Sequence, residues 1–314
     1  MKTTVVVGYD QTEHSDAALA EAAREAAMRG AFLHVITAFQ RPVPPGAAAA
    51  RSRSQPQPQP QDQDPDLDDT ARKTALAVAQ HAVDQAHDRY PHLTATPFAV
   101  VGAAGKTVAQ AAHGADLLVL GSRGRGGFAG MQLGSTSMRA LSDACCPVLV
   151  VRGQSAGRPH DRVVAAVDID EPCDPILAFA FDEASRRGAG LTVLHVWDEP
   201  WILAYGQEDP GIAEDIALIE AEREQRLAAA VRIAQRRYPD VHPFHQVATG
   251  SAARLLVEAS HRADLLVTGA RRHGEGRHGR AAPPKNPKRG RASPQRPYRS
   301  PAPGRCRAFG HPPA

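Results

Sequence analysis

Short apolar runs alternate along the chain with longer segments that mix apolar and polar residues. In the first half the apolar runs predict strands near residues 3–8, 31–38, 95–101, 116–121 and 147–151. The segments between them predict helices near residues 14–29, 69–89, 103–113 and 135–144. Because strands that are joined through helices pair in parallel, the pattern predicts an α/β fold: a doubly wound parallel sheet with helices on both faces.

The same pattern occurs a second time. Residues 5–42 align with residues 163–200 at a constant offset of 158, and residues 102–121 align with residues 250–269 at an offset of 148. A repeat of this length is the size of one α/β unit. The chain is therefore expected to contain two tandem domains of the same class.

The second copy breaks off after Gly269. Residues 270–314 contain nine prolines and no Ile, Leu or Val, and proline lacks the N–H group that a central strand needs. We therefore expect a complete domain at 1–152, a truncated domain at 161–270, and a disordered, basic, Pro-rich tail at 271–314. The tail also has the composition of a shifted reading frame, a hypothesis that translation of the other two frames would test.

A glycine-rich loop follows the fourth predicted strand and precedes a predicted helix. Its spacing is Gly121, two residues, Gly124, nine residues, then Gly134 and Ser135. Glycines let backbone N–H groups approach an anion closely, and a helix N-terminus adds the positive end of its dipole. The loop therefore predicts a cradle for the phosphates of a nucleotide. A flexible surface loop without a ligand is the alternative.

These features resemble the universal stress protein family. The resemblance lies in the glycine-rich loop, in the following Cys146–Val151 run, in a first strand that ends at Asp10, and in the second strand around Val35. It implies a Rossmann-like fold of the adenine-nucleotide alpha hydrolase type, with ATP as the ligand and Mg²⁺ as its counter-ion. In such proteins the strand-end aspartate and the backbone of the second-strand valine contact adenine, and the loop holds ribose and phosphates. By this resemblance the candidate nucleotide-binding residues are Asp10, Val35, Gly121, Gly124, Gly134, Ser135 and Thr136.

Other interpretations of single residues stay open. Asp10 also suits a role in capping the first helix. Arg123 and Arg125 flank the loop and suit either a phosphate contact or a solvent-exposed position. The segment 102–107 imitates a phosphate-binding loop of the Walker type, but Val100 stands where that motif needs glycine, so we interpret it as an ordinary turn.

Charge and composition narrow the function class. The chain carries a formal charge of +3, but the segment 270–314 alone carries +11, which leaves −8 on residues 1–269. An acidic body repels nucleic-acid backbones, so no nucleic-acid partner is expected. Four scattered cysteines give no metal-ligand spacing, and we expect no metal site. No leader and no apolar stretch of membrane-spanning length is found, so we expect a cytoplasmic protein without a membrane partner.

The sequence thus predicts an ATP-binding stress-response or regulatory protein whose first domain holds the nucleotide. No catalytic triad or general base can be assembled, so we expect no enzyme, although slow ATP hydrolysis stays open. One alternative is an ATP-hydrolysing enzyme of the same fold. Another is a protein-interaction module that uses the polar insertion at residues 41–69 or the tail. The two domains are expected to pair within the chain, or else in a homodimer, and the truncated copy is expected to expose a sheet edge.

Overall fold

The computed structural model describes residues 3–41, 65–124, 133–152, 159–198 and 210–269. The chain divides into two compact units, Met1–His273 and Gly274–Ala314, and every described residue belongs to the first. Most of the predicted polar insertion and the whole predicted tail lie outside the described residues.

The described elements follow the alternation that the apolar pattern predicts. The strands are β1 (Thr4–Gly8), β2 (Phe32–Phe39), β3 (Ala95–Val101), β4 (Leu117–Gly121), β5 (Val148–Val151), β6 (Arg162–Val167), β7 (Gly190–Trp197), β8 (Pro243–Thr249) and β9 (Leu265–Thr268). The helices are α1 (Glu13–Arg29), α2 (Pro65–Arg89), α3 (Ala104–Ala111), α4 (Ser135–Asp143), α5 (Asp174–Arg187), α6 (Pro210–Gln235) and α7 (Ala252–Ser260).

The strands form two parallel sheets. The first has five strands in the order β3-β2-β1-β4-β5, and the second has four in the order β8-β7-β6-β9. The predicted fold class, two parallel-sheet α/β domains with a shorter second sheet, is therefore confirmed. In the first sheet the strand order reverses its direction between β1 and β4, which opens a crevice at the carboxyl ends of these two strands.

Residues close in sequence determine where α1 begins and where α1 and α5 end. Helix α1 begins with a capping box, in which the Thr12 hydroxyl accepts from Ser15 N and the Ser15 hydroxyl accepts from Thr12 N. Helices α1 and α5 both end at glycines in the left-handed conformation, Gly30 with φ of 58° and Gly188 with φ of 61°. These two glycines occupy equivalent positions in the repeat, which explains why both helices stop at the same place.

Helix α2 begins four residues earlier than the sequence pattern predicts, at Pro65. Proline suits the first turn of a helix because its missing N–H would have no partner there. The acidic residues of the first turns complement the positive end of the helix dipole, and Asp69 also pairs with Arg72 and Lys73 one turn later. Charge therefore extends the helix into a segment that has few apolar residues.

The first sheet has a core on each face. On one face, Val5, Val7 and Leu33 pack against α1 and α2. On the other face, a second cluster forms with α3 and α4, and it contains Val6, Ile36, Val108, Leu118, Leu120 and Ala140. In the second half, the described residues form one such cluster, around Val163, Phe181 and Val193. The second sheet is therefore packed mainly on the side of α5 and α6.

Candidate functional site

A cleft lies at the carboxyl edge of the first sheet, where the chain leaves the paired strands β1 and β4 toward opposite faces of the sheet. It is bounded by the β1–α1 turn, the end of β2, the start of α3, and the segment between β4 and α4. Residues that line it include Asp10, Ser15, Ile36, Ala38, Ala104, Gly121, Arg123, Gly124 and Thr136. Residues 125–132 of the glycine-rich loop, including Arg125, lie outside the described residues.

Two helices begin at this cleft without a side-chain cap. No side-chain hydrogen bond caps α3 at Ala103 or α4 at Gly134, whereas α1 has its complete capping box. The first N–H groups of a helix have no partner within the helix, so an uncapped start leaves donors for water or an anion. Ala104 and Thr136, which line the cleft, belong to the first turns of these two helices. The cleft is thus bordered by two sets of donors and by Arg123.

The first two glycines of the loop lie close to the β1–α1 turn and to α1. A Cβ on Gly121 would lie 2.5 Å from the carbonyl oxygen of His14, and a Cβ on Gly124 would lie 2.8 Å from Oδ2 of Asp10. The first contact is with backbone, so packing requires glycine at position 121, whereas at position 124 the Asp10 carboxylate would have to shift. The segment after β4 therefore lies directly on the β1–α1 turn.

Gly134 is different. It has φ of −72°, and a Cβ there would find its nearest atom, the Cα of Arg123, at 3.4 Å. Its N–H donates to the Ser122 carbonyl at 2.7 Å, which ties the start of α4 to the end of β4. The Ser137 hydroxyl adds a second tie by donating to the Gly121 carbonyl at 2.7 Å. The fold itself therefore holds Gly134 in place without requiring glycine there.

Asp10 orders the β1–α1 turn. Its Oδ1 accepts from the Thr12 hydroxyl at 2.6 Å and from Thr12 N at 3.3 Å. Between them, Gln11 has φ of 62°, a left-handed conformation that is uncommon for a residue with a side chain. Thr12, not Asp10, is the residue that caps α1. Asp10 holds the cap in place and also lines the cleft, so the structure is compatible with both roles considered from the sequence.

Tyr9 anchors the same turn from below. Its hydroxyl donates to Oδ1 of Asp16 at 2.8 Å, and burial, with the bond to Asp16, raises the pKa of this phenol. Its carbonyl accepts from the Thr37 hydroxyl on β2 at 3.2 Å. The turn that carries Asp10 is therefore fixed to both α1 and β2.

The side chain of Val35 points away from the cleft, and the backbone contact that the family resemblance implies for it stays a prediction. Its side chain is fully buried in the core shared with α1 and α2, and it pairs in register with Val7 in the middle of the sheet. The residues of β2 that line the cleft are Ile36 and Ala38. Sequence reasoning missed these two, and the alternation of β2 was the signal, because residues 36 and 38 share the face opposite to Val35.

The equivalent edge of the second half has a different chemistry. The counterparts of Thr12, Thr37 and Phe39 are Asp170, His195 and Trp197. Arg223 of α6 lies 5.0 Å over the Trp197 ring and donates to Asp170 at 3.0 Å. Burial opposes ionisation of Asp170, but the bonds from Arg223 and from Arg226 hold its pKa below the ordinary range.

In this network the arginine and aspartate side chains pair with each other. The network lies on the face of the second sheet that packs against α6. The counterparts of Gly124 and Gly134 are Arg272 and Ala282, which lie outside the described residues.

Metal and membrane features are absent from the described part of the chain. Among those residues, no three His, Cys, Asp or Glu side chains are grouped so that they could hold a metal ion. None of the helices within the described ranges has the length and apolar character needed to cross a membrane.

Comparison with known proteins identifies the family of the chain. The model of the universal stress protein family matches residues 1–152 and 159–280. A universal stress protein of Mycobacterium bovis is 34% identical over 281 residues, which cover 87% of this chain and 88% of the relative. One of Mycobacterium tuberculosis is 32% identical over 281 residues, with 86% and 87% covered.

A solved structure supports the fold. The crystal structure of a universal stress protein from Archaeoglobus fulgidus is similar with a TM-score of 0.52 at 16% identity, and the match covers 84% of this chain and 86% of that one. At this identity the likeness extends to the fold alone.

Proposed function

The chain belongs to the universal stress protein family, and on that premise we propose that its first half binds an adenine nucleotide, ATP with Mg²⁺, as a regulatory ligand in a stress response. The observation that carries this proposal is the convergence of two uncapped helix N-termini and one arginine on a single cleft. A polyphosphate supplies the acceptors that these donors lack.

The residues present fit the parts of such a ligand. Donors for phosphate oxygens are available at the first turn of α4, which includes Ser135 and Thr136, and on Arg123. Ile36 and Ala38 give an apolar wall next to the Asp10 carboxylate, which suits the face and the amino edge of adenine. Mg²⁺ would be held mainly by phosphate oxygens and water, since no protein cluster for it exists within the described residues.

Gly134 supports the proposal from another direction. The backbone of His14 explains glycine at position 121, and the Asp10 carboxylate leaves little room for a side chain at position 124, but there is ordinary space around position 134. A glycine that neither conformation nor packing requires is accounted for by close approach of a ligand to the backbone. The first turn of α4 is where a phosphate would make this approach.

We propose binding without efficient turnover. Chemistry on a phosphoryl group requires a positioned base or water-orienting group. Among the described residues that line the cleft, the one carboxylate is that of Asp10, which already accepts two hydrogen bonds from Thr12. An ATP-hydrolysing activity remains the rival, and a cytoplasmic location stays a prediction.

The test compares two glycine variants of the full-length protein. Gly134→Ala places a methyl group beside the start of α4, and Gly190→Ala, whose Cβ would lie 3.7 Å from the nearest atom and far from the cleft, is the matched control. We expect Gly134→Ala to weaken ATP binding in calorimetry by at least about tenfold, the loss of roughly one charge-assisted hydrogen bond. Equal affinity in both variants would contradict the proposal, and release of labelled phosphate that Gly134→Ala abolishes would favour the hydrolase.

We also propose that the two halves pair within one chain through α1 and α5. Glu25 and Arg29 on α1 face Glu183 and Arg187 on α5, and all four side chains are at least 93% buried. Arg29 pairs with Glu183 and Arg187 pairs with Glu25 across the two helices. Each arginine also pairs with the glutamate four residues earlier on its own helix. We call these four residues the charge quartet.

The charge quartet follows the internal repeat, because Glu25 is equivalent to Glu183 and Arg29 to Arg187. Two contacts do not follow the repeat, and they distinguish a contact between a first half and a second half from a contact between two identical halves. Arg187 also reaches Glu21 at 3.3 Å, but the equivalent of Glu21 on α5 is Phe179, which instead packs against the cores of both halves. We expect a monomer in light scattering; a dimer that dissociates in Arg187→Met protein would assign the pairing to two chains.

A further inference from the structure

One surface of the second half lacks the cover that its counterpart has in the first half. We call it the α7–β9 face: helix α7 together with the outer edge of β9. Its counterpart in the repeat consists of α3 and β4. In the first half, α4 packs on α3 and β5 pairs with β4. Within the described ranges, no strand lies beyond β9 in the second sheet.

The helix of this face is more apolar than its counterpart, yet it is less buried. Helix α3 buries four residues, Gly105, Thr107, Val108 and Ala109. Their equivalents on α7 are Ala253, Leu255, Leu256 and Val257. None of the α7 residues is buried, and Val257 is 56% exposed. Larger apolar groups at uncovered positions indicate a surface that gains from being covered.

Among the described residues, no strand pairs with the outer edge of β9. In the first half, the outward N–H groups of β4 and the residue after its end donate to β5, Leu118 to Pro147 at 2.9 Å and Ser122 to Val151 at 2.9 Å. By the repeat, the outward N–H groups of β9 are those of Leu266 and Thr268, the equivalents of Leu118 and Leu120. An open parallel edge of this kind accepts one more strand.

The first half shows which segment fits such a face. It is α4 followed by β5, residues 134–152: a short helix, a proline, and four aliphatic residues in a strand. The segment 270–314 of this chain cannot imitate it, because it has nine prolines and no Ile, Leu or Val. A second copy gains nothing by lending its own α4–β5 segment, since that would uncover the equivalent face of its first half.

We propose that the α7–β9 face binds, in trans, a helix–strand segment of another polypeptide with the chemistry of residues 134–152. The strand adds to β9 in parallel, with aliphatic side chains on both faces, and the helix covers the leucines of α7.

One residue sets how closely such a helix can approach. At Gly105 an added Cβ would lie 2.7 Å from the Cβ of Arg139 and 2.8 Å from the carbonyl oxygen of Thr136, so α4 touches the α3 backbone there. The equivalent position on α7 is Ala253, which already has a Cβ. A bound helix therefore lies further from α7 than α4 lies from α3, and Ala253→Gly is expected to strengthen binding.

The experiment titrates a synthetic peptide of residues 134–152, kept reduced, into the full-length protein. We expect saturable binding, with hydrogen exchange slowed at Leu266 and Thr268. A control peptide with Val148→Asp and Val150→Asp is expected to bind at least tenfold more weakly. In the protein, Thr268→Pro removes one outward N–H without touching the pairing with β6, and it is expected to weaken binding at least tenfold. Ala253→Gly is expected to tighten binding severalfold.

Three outcomes would overturn the proposal. The first is a titration that does not saturate at about 1 mM peptide, because a dissociation constant of that size corresponds to a binding free energy of only about −4 kcal/mol. The second is equal binding of both peptides, or equal binding to wild type and Thr268→Pro, since either shows adhesion without strand addition. The third is self-association of the protein alone that Thr268→Pro abolishes, which would assign the face to a second copy.

Discussion

The two halves have the same order of elements up to β4 and β9, but they differ in the segment after these strands. In the first half, α4 packs on the second face of the sheet, and β5 extends the sheet beyond β4. In the second half, the described chain ends at β9, and α7 has no buried residue. The comparison shows that one short segment completes a core, and under the proposed function the same segment supplies the donors for a ligand.

The half that lacks this segment retains its other core. Leu177, Phe181 and Val193 are fully buried between α5 and the second sheet. We therefore expect the second half to fold without a ligand, because it buries apolar residues against α5 and α6 and shares the charge quartet with the first half. In this account it is a structural partner, and nucleotide binding belongs to the half with the complete edge.

The largest expected effect lies where the two halves are most alike, in the charge quartet. Arg187→Met leaves two buried glutamates short of a partner, so we expect a loss of about 3–5 kcal/mol in the free energy of unfolding. The matched control is Arg186→Met on the same helix, whose pair with Asp182 is exposed, and it should cost less than about 1 kcal/mol.

Chemical denaturation of both variants measures the difference. Inversion of all four charges, Glu25→Arg, Arg29→Glu, Glu183→Arg and Arg187→Glu, restores the alternation and should recover part of the stability. Equal losses in Arg187→Met and Arg186→Met would show that the quartet does not hold the halves together.

The next largest effect is expected to differ between the two halves. Leu118 is fully buried between α3 and α4, and its equivalent Leu266 is only partly buried. Leu118→Ala is expected to cost about 2–5 kcal/mol, the usual effect of a core cavity, and Leu266→Ala clearly less. Native-state hydrogen exchange at β4 and β9 reads out each half separately. A larger loss for Leu266→Ala would mean that the α7–β9 face is already covered.

A smaller effect concerns the ligand. Arg123→Gln removes the described cation of the cleft, and we expect ATP binding to weaken by about 1.5–3 kcal/mol, or roughly 10–150-fold. The control is Arg254→Gln, which removes the same charge from an exposed position at the start of α7. Calorimetry of both variants distinguishes a local contact from a general effect of net charge, because an effect of net charge would weaken ATP binding equally in the two variants.

The smallest effect is a pH dependence at the contact between the halves. Burial alone would raise the pKa of Glu21, but Arg24 and Arg187 hold it below its ordinary value. Because the folded-state pKa is the lower one, Glu21 contributes stability at pH values above its unfolded pKa. That contribution is lost as the pH falls through the folded value. Denaturation curves of wild type and Glu21→Gln should therefore converge in acid, and a constant difference would contradict the assigned pairing.

Much of the fold could be predicted from the sequence because apolar runs and turn residues act locally. The run that predicts a strand at 116–121 corresponds to β4, and the repeat correctly places β9 in the second sheet. The ends of the glycine-rich loop, Gly121 and Thr136, line the cleft, and nucleotide binding at this edge stays a prediction.

The remaining features depend on which side chains meet in space. Nothing in the sequence around Glu25 indicates that its partner lies 162 residues away at Arg187. Likewise, the pleat of β2 places Ile36 and Ala38 at the cleft, and the sequence did not single out these two residues; the predicted backbone contact of Val35 stays a prediction. The absence of caps on α3 and α4 was also hidden, because Ser135 looks like a capping residue and lies one position too late.

The stoichiometry of ATP binding tests the comparison of the two halves most directly. Isothermal titration of the full-length protein with ATP and Mg²⁺ is predicted to give one site per chain, and Gly134→Ala should weaken that site. Two equivalent sites per chain, or one site that is indifferent to Gly134→Ala, would contradict the account.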